Sequence, residues 1–408
     1  MRSIAKVRQQ ILSSVRATSS ERVELTEALG RVLAEPVVAP HDVPSFANSA
    51  MDGFAVRAVD VSTPGAVLEI IEDVAAGATA TAPVGEGQAI KIMTGAPMPD
   101  GADTVVRVED TEEESGKVRI ATAPQPGTSV RPPGGDVAAG TTVFPAGVRL
   151  SEPHLGVLAT IGIVSPVVAR KPRVAVMSTG DELVPAEMVT LGPGMIRDSN
   201  RPMLLALVAS AGAEPNDMGR IPDDADSLRA ALGEAAATSD VIVTTGGVSM
   251  GEFDVTKLVL REETDVDFFP VAMKPGKPQG FGTVGGRPFF GLPGNPVSVL
   301  VSFEQFVRPA ILHMQGASAL LRPRLMGVAG ETLVSDPAKE EFVRVRFEGS
   351  SVPPKVVQTG GRGSHVLSGA ANADAFAVLP VDVEEVEEGE PVILELFHAN
   401  ETREIAHG

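Results

Sequence analysis

Three kinds of residue in this sequence could carry chemistry: carboxylates set beside glycine, loops rich in glycine and hydroxyls, and lysines in a proline-stiffened stretch. The carboxylates are Asp52 in SAMDGFAV, Asp136 in RPPGGD, Glu182 in STGDEL, Asp223 and Asp224 in RIPDD, and Asp254 in GGVSMGEFD. Oxygen ligands in small number suit Mg2+, which keeps several waters and bridges to substrate phosphates. Each has a plainer reading as well. Asp224 could cap a helix around Leu228, and Asp52 and Asp254 could be turn residues.

The loops STGDEL and TTGGVSMGEFD offer the hydroxyls of Ser178, Thr179, Thr244, Thr245 and Ser249, and Gly246 and Gly247 let the backbone approach a ligand. Neither loop is a Walker A or GxGxxG fingerprint, so ATP hydrolysis and dinucleotide chemistry lack support, and ordinary turn glycine is the bland alternative. In GLPGNPVS, Gly291 and Gly294 permit close approach. Asn295 and Pro296 read as the cap and first residue of a helix whose free N–H groups form an anion site. MKPGKP supplies Lys274 and Lys277 just upstream. From these residues alone, the reading is a phosphorylated anion bound with a hard metal; the reaction stays open.

The elements that must position these loops alternate. RVAVMS and VIVTT are continuous apolar strands, and PMLLALVASAG and SLRAALGEAAA are helices. That alternation predicts a doubly wound α/β domain with a parallel sheet, whose ligands sit beyond the carboxyl ends of the strands. Before it, VLEII, AIKIM, TVVRV and KVRIA predict a β-rich module, and EPHLGVLATIG a helix. After it, EFVRVRFEG, PKVVQT, AFAVLP and EPVILELF predict a second β module. Ile4, Val7, Ile11 and Val15 recur at helical spacing, so the N-terminus reads as a docking helix and not a secretory signal. The acidic runs DTEEE and DVEEVEEGE read as solvated loops.

Composition narrows the classes. The 408 residues carry 34 Lys plus Arg against 53 Asp plus Glu, a formal charge of -19, which argues against nucleic-acid or anionic-membrane partners. An anionic substrate would require the few cations to gather at the site. With no Cys there is no disulfide, thiolate nucleophile or Cys-ligated metal, and the six His lack an HExxH spacing. No apolar run reaches the roughly 18 residues that span a bilayer, and a cytoplasmic location is expected.

Taken together, PSFANSAMDGFAV, IKIMTGAPMPDGADTVVRVED, VRPPGGD, STGDEL, RDSN, TTGGVSMGEFD, MKPGKP and GLPGNPVS resemble, in order and across nearly the whole chain, the molybdopterin molybdenumtransferases, MoeA in bacteria and the E domain of gephyrin in animals. The resemblance implies an elongated homodimer of multidomain α/β plus β chains. Its parts would be a split N-terminal dimerisation domain (1–45 and 141–170), a β-rich insertion (46–140), a MogA-like doubly wound α/β domain that binds molybdopterin (171–320) and a C-terminal β-barrel (321–408). It implies binding of adenylylated molybdopterin with Mg2+, insertion of molybdate at the dithiolene and release of AMP, between the α/β domain of one subunit and the insertion of the other. A MogA-like adenylyltransferase would supply the substrate.

Carried over by position, Asp52, Thr94, Arg131 and Asp136 would come from the insertion. Glu182, Asp223, Asp224, Asp254 and Lys274 would line the α/β side, and Ser368 in GSHVLSG matches a serine of the barrel. In that assignment Glu182, Asp223, Asp224 and Asp254 hold Mg2+, Lys274 and Arg131 neutralise oxyanions, and Asp52 orients metal or water. Pro270 departs from the pattern, standing where family members commonly carry Lys or Arg; Ala47 and Asp374 depart as well. The lost cation favours a rival reading, a gephyrin-like dimeric scaffold that binds a short peptide of a membrane receptor or of a cytoskeletal or cell-division protein.

Overall fold

The computed structural model describes residues 1–75, 77–247 and 255–397, with only the backbone at 255–257 and 263. Helix α1 (Ile4–Ser14) starts at Ser3, whose hydroxyl accepts the Lys6 N–H. Its buried stripe, Ile4, Val7 and Ile11, lies in the same core as Val174, Val243 and Ile311 of the α/β domain. The docking face read from the spacing is therefore used. The helix expected with the split domain packs on the α/β domain instead, because that is where its apolar stripe finds partners.

The insertion contains β1 (Gly53–Val56), β2 (Ala66–Val74), β3 (Gln88–Ile92), β4 (Thr104–Arg107), β5 (Thr111–Glu114) and β6 (Lys117–Ile120), in sheet order β4-β1-β3-β2-β6-β5. Alternate residues feed two cores: Phe54, Leu68 and Val118 pack on one face, Ala55, Ile90 and Val105 on the other. The run TEEE, expected as a loop, forms the exposed edge strand β5. Its charges discourage further strand pairing, which explains how so acidic a run lies in a sheet. Beyond the sheet, Ser20–Arg22 pairs with Val167–Ala169, and Val37–Val38 with Thr142–Phe144. Helix α2 (Glu152–Thr160) opens on a reciprocal cap between Ser151 and His154.

The α/β domain runs β7 (Arg173–Thr179), α3 (Asn200–Ser210), β8 (Glu214–Ile221), α4 (Ala225–Thr238), β9 (Val241–Thr245), α5 (Val255–Glu263), β10 (Asp267–Pro270), β11 (Pro278–Val284), β12 (Arg287–Leu292), α6 (Pro296–Ser302) and α7 (Arg308–Met314). The sheet order is β8-β7-β9-β12-β11-β10. Val174 and Val176 face one core and Ala175 and Met177 the other, so β7 is buried on both sides, as its unbroken apolar text requires. The expected parallel arrangement holds for β8, β7, β9 and β12. Only β11 runs against them, antiparallel to both β12 and β10, because Gly285 and Gly286, both at positive φ, close a two-residue hairpin between β11 and β12.

Between α6 and α7 a single π turn, Phe303–Val307, buries Glu304 and Gln305. Arg322 grips Glu304 through two bonds of 2.8 and 2.9 Å. Gln305 donates to Glu395 at 2.6 Å and accepts from Arg8 Nε at 3.1 Å, so one turn ties α1 and the α/β domain to the C-terminal module. That module is a closed five-stranded barrel of β13 (Arg324–Ala329), β14 (Glu340–Glu348), β15 (Lys355–Gln358), β16 (Ala375–Leu379) and β17 (Pro391–Leu396), paired β14-β15-β13-β17-β16 and back to β14. Helix α8 (Leu367–Ala371) lies between β15 and β16. The short strand Met273–Lys274 pairs in parallel with the start of β14, stitching the MKPGKP loop to the barrel.

Candidate active site

A cavity of about 320 Å3 opens where the carboxyl ends of β7, β9 and β12 meet, bounded by Thr179, Glu182, Asp198, Asn200, Gly246 and Asn295. Glycine makes the floor possible. Gly246 has φ +90°, and a Cβ there would lie 2.4 Å from the Thr179 carbonyl oxygen. Asn200, from RDSN, donates through Nδ2 to Thr245 Oγ1 (3.0 Å) and to the Gly294 carbonyl (2.6 Å). Its Oδ1 has no hydrogen-bond partner among the described residues, and neither has Thr179 Oγ1, on a residue only 4% exposed. Buried polar atoms are normally paired, which marks these two oxygens as candidate ligand contacts. Asp198 is buried and occupied: it accepts from Ser178 Oγ at 2.6 Å and from Arg201.

A second cavity, of about 420 Å3, adjoins the first and shares Asn295 with it. It lies between the MKPGKP loop and the barrel, and Lys274, Lys277, Arg344 and Arg362 line it against a single carboxylate, Glu341. Lys274 Nζ lies 3.2 Å from Glu341 Oε2, and Arg362 donates to Glu341 Oε1 at 2.9 Å. Arg344, 4% exposed, instead donates to the backbone carbonyls of Val366 (2.6 Å) and Gly361, with no carboxylate partner among the described residues. Burial lowers its pKa below the ordinary value. Ser298 and Ser364 add hydroxyls to the lining. In a chain of charge -19, such a gathering of cations around a void is an arrangement that suits an anion. The helix start at Pro296 contributes less than expected, since Val297 N–H is taken by the Ser364 carbonyl at 3.0 Å.

The insertion residues stand apart from both cavities in a single chain. Asp52 is exposed and accepts from Thr94 through the backbone N–H and the hydroxyl, both at 2.7 Å; these bonds hold its carboxyl below the ordinary value. Arg131 and Asp136 are exposed on the same module. The structure thus brings Thr179, Glu182, Gly246, Gly294 and Asn295 together in one cavity and Lys274, Lys277 and Asn295 in the other. Gly247, at φ +66°, follows Gly246, and Ser178 lies beneath the floor, bonded to Asp198. Ser249 and Asp254 lie outside the described residues.

Asp224 is the cap of α4, its carboxylate accepting the Ser227 N–H at 2.9 Å, and Asp223 accepts the Asp181 N–H at 3.2 Å, which ties the RIPDD turn to the STGDEL loop. Ser368 sits exposed on α8 and lines neither cavity, whereas Ser364 of the GSH loop lines the second. Among the described residues no group of three His, Asp or Glu side chains is placed to hold a metal.

Sequence reasoning missed Asp198, Asn200, Glu341, Arg344, Arg362 and His365. RDSN had been noticed as a motif without its roles. Arg344 carried a signal: in EFVRVRF it occupies an alternation position it shares with buried Phe342, where an unpaired charge is out of place. His365 lines the first cavity from the barrel side, which only the folded arrangement reveals.

Family models match most of the chain: one described as the MoeA N-terminal region (domain I and II) at residues 2–162, a probable molybdopterin binding domain at 175–313, and the MoeA C-terminal region (domain IV) at 327–397. Molybdopterin molybdenumtransferase 2 of Mycobacterium tuberculosis is 40% identical over 399 residues, 95% of this chain and 98% of that protein. The molybdopterin molybdenumtransferase of Haemophilus influenzae is 37% identical, over 93% of this chain and 95% of that one. The crystal structure of a molybdopterin biosynthesis MoeA protein from Pyrococcus horikoshii superposes with a TM-score of 0.86 at 30% identity, covering 97% of this chain and 100% of that one. With its α/β cleft, closed barrel and inserted sheet in the same order, the chain belongs to the molybdopterin molybdenumtransferase family.

Proposed function

We propose that the chain is a molybdopterin molybdenumtransferase, an enzyme that inserts molybdate into adenylylated molybdopterin and releases AMP to give molybdenum cofactor. The observation that supports it best is the pair of cavities that share Asn295. One has a strand-end floor with unsatisfied oxygens, and the other a wall of four cations, so a phosphoanhydride and a tetrahedral oxyanion can lie side by side across Asn295. In this reading Lys274, Lys277, Arg344 and Arg362 hold molybdate, while Thr179, Asn200 and the Gly246 loop position the phosphates. Catalysis is then orientation and electrostatic stabilisation, without a covalent intermediate.

The donors in the first cavity fit Mg2+: Glu182, Thr179 Oγ1 and Asn200 Oδ1 are all hard oxygen atoms, and Mg2+ needs few protein ligands when phosphates supply the rest. Bound there, it would neutralise phosphate charge. Asp254 belongs to the same proposal. Asp52, Thr94, Arg131 and Asp136 would reach the site from a second copy, which makes the working unit a homodimer.

Pro270 weighs less against activity than its position in the sequence implied, since it does not line the cation-rich cavity and four other cations do. The retained cations favour the enzyme over the scaffold reading. No helix among the described residues is long and apolar enough to cross a membrane, and we place the enzyme in the cytoplasm beside the adenylyltransferase that makes its substrate. Reconstitution with adenylylated molybdopterin, Mg2+ and molybdate tests the reading, with a Pro270→Lys variant alongside. Cofactor formation by the natural chain is expected. Formation only by the lysine variant would return the assignment to a scaffold.

A further inference from the structure

Glu341 is the one carboxylate in the cation-rich cavity, it is 4% exposed, and no role above uses it. Its two oxygens are divided. Oε1 accepts from Arg362 of the barrel loop at 2.9 Å, and Oε2 accepts from Lys274 of the α/β loop at 3.2 Å and from the Asp336 N–H at 3.1 Å. One buried anion therefore fixes cations from two domains, at the register where Lys274 pairs with Glu341 across the short parallel strand. A carboxylate beside an oxyanion site opposes binding through its charge, and an enzyme that needed affinity alone would be better without it. A group that costs affinity yet sits at the centre of the contacts is explained if it holds Lys274 and Arg362 in the geometry needed during reaction.

We propose that Glu341 is a positioning residue that trades oxyanion affinity for the fixed placement of Lys274 and Arg362. The inference rests on the reading of this cavity as the molybdate site. Its signature is a split in sign. Removing the negative charge leaves the lining cations with no opposing carboxylate, so molybdate binds more tightly, while turnover falls because Lys274 and Arg362 are no longer held. A residue that merely supported the fold would weaken binding when changed.

The experiment compares the full-length chain with Glu341→Gln, measuring molybdate binding by titration calorimetry and turnover with adenylylated molybdopterin. The expected result is molybdate binding at least about threefold tighter, from the removed repulsion, with kcat lowered by roughly tenfold or more, as small misplacements of catalytic groups produce. Weaker or unchanged molybdate binding overturns the proposal. So does unchanged kcat. If Glu341→Gln does not fold, Glu341→Asp keeps the charge and shortens the reach: affinity near that of the natural chain with reduced kcat is expected, and unchanged kcat overturns the proposal. Failure of the functional reading is distinguishable, because the natural chain would then neither bind molybdate nor turn over adenylylated molybdopterin.

Discussion

Replacing Arg344 by Met should separate stability from activity. The guanidinium donates to the carbonyls of Val366 and Gly361, and hydrogen bonds from a charged group contribute about 1.5–3 kcal/mol each, so roughly 3–6 kcal/mol is lost with them. Against that, a cation on a residue 4% exposed with no carboxylate partner carries a desolvation penalty of several kcal/mol, which the neutral side chain escapes while filling much of the same stem volume. The two terms are of similar size, so the net change in stability should stay within about 2 kcal/mol of zero. Turnover should not be spared. In the proposed function Arg344 helps to hold the oxyanion, so losing it removes an electrostatic contact of the kind whose deletion costs about 10²–10³ in kcat. Thermal unfolding followed by circular dichroism reads the first quantity, and initial rates at saturating adenylylated molybdopterin read the second. Turnover within threefold of the natural chain would refute the claim that this buried charge is kept for the anion. A stability loss beyond about 4 kcal/mol would refute the balance of terms, making Arg344 a structural brace.

Further outcomes follow from the same geometry. Gly246→Ala places a methyl 2.4 Å from the Thr179 carbonyl at a φ of +90°, and should cost roughly 2–4 kcal/mol in stability, read by urea unfolding, together with loss of substrate binding. Thr94→Val removes one of the two donors to Asp52 and should raise its carboxyl pKa. The depressed value means that Asp52 contributes stability above its unfolded pKa and loses it as pH falls through the folded one; the variant should therefore lose that contribution at higher pH, seen as an earlier acid-unfolding midpoint and an upshifted carboxyl titration by NMR. Mixing inactive Asp52→Asn with inactive Glu182→Gln subunits should restore about a quarter of wild-type turnover, because half the random dimers hold one site built from two intact halves; no recovery on mixing would argue that each chain completes its own site.

Much of this was legible in the residues, for physical reasons. β7 and β9 could be read because a strand buried on both faces must be continuously apolar, and α1 because its stripe recurs at helical spacing. The glycine loops could be placed because ligands collect beyond the strand ends of a parallel sheet. The cation wall could not. Lys274 lies near Arg344 and Arg362 only because a two-residue strand pairs with the barrel, and pairing over so short a register leaves no periodic trace. The placement of Asp224 and Ser368 was hidden for a related reason: a cap and a loop carboxylate, or two serines four residues apart, look alike until the backbone is traced.

The most direct measurement of the central claim is a single-turnover reaction of the purified chain with adenylylated molybdopterin and Mg2+, with and without molybdate, counting AMP and molybdenum-loaded cofactor together. The account predicts that the two products appear in roughly equal amounts and at one rate, with cofactor formation absent when molybdate is withheld and slowed about 10²–10³-fold when Arg344 is replaced. AMP released without loaded cofactor in the presence of molybdate, or no AMP at all, would contradict it.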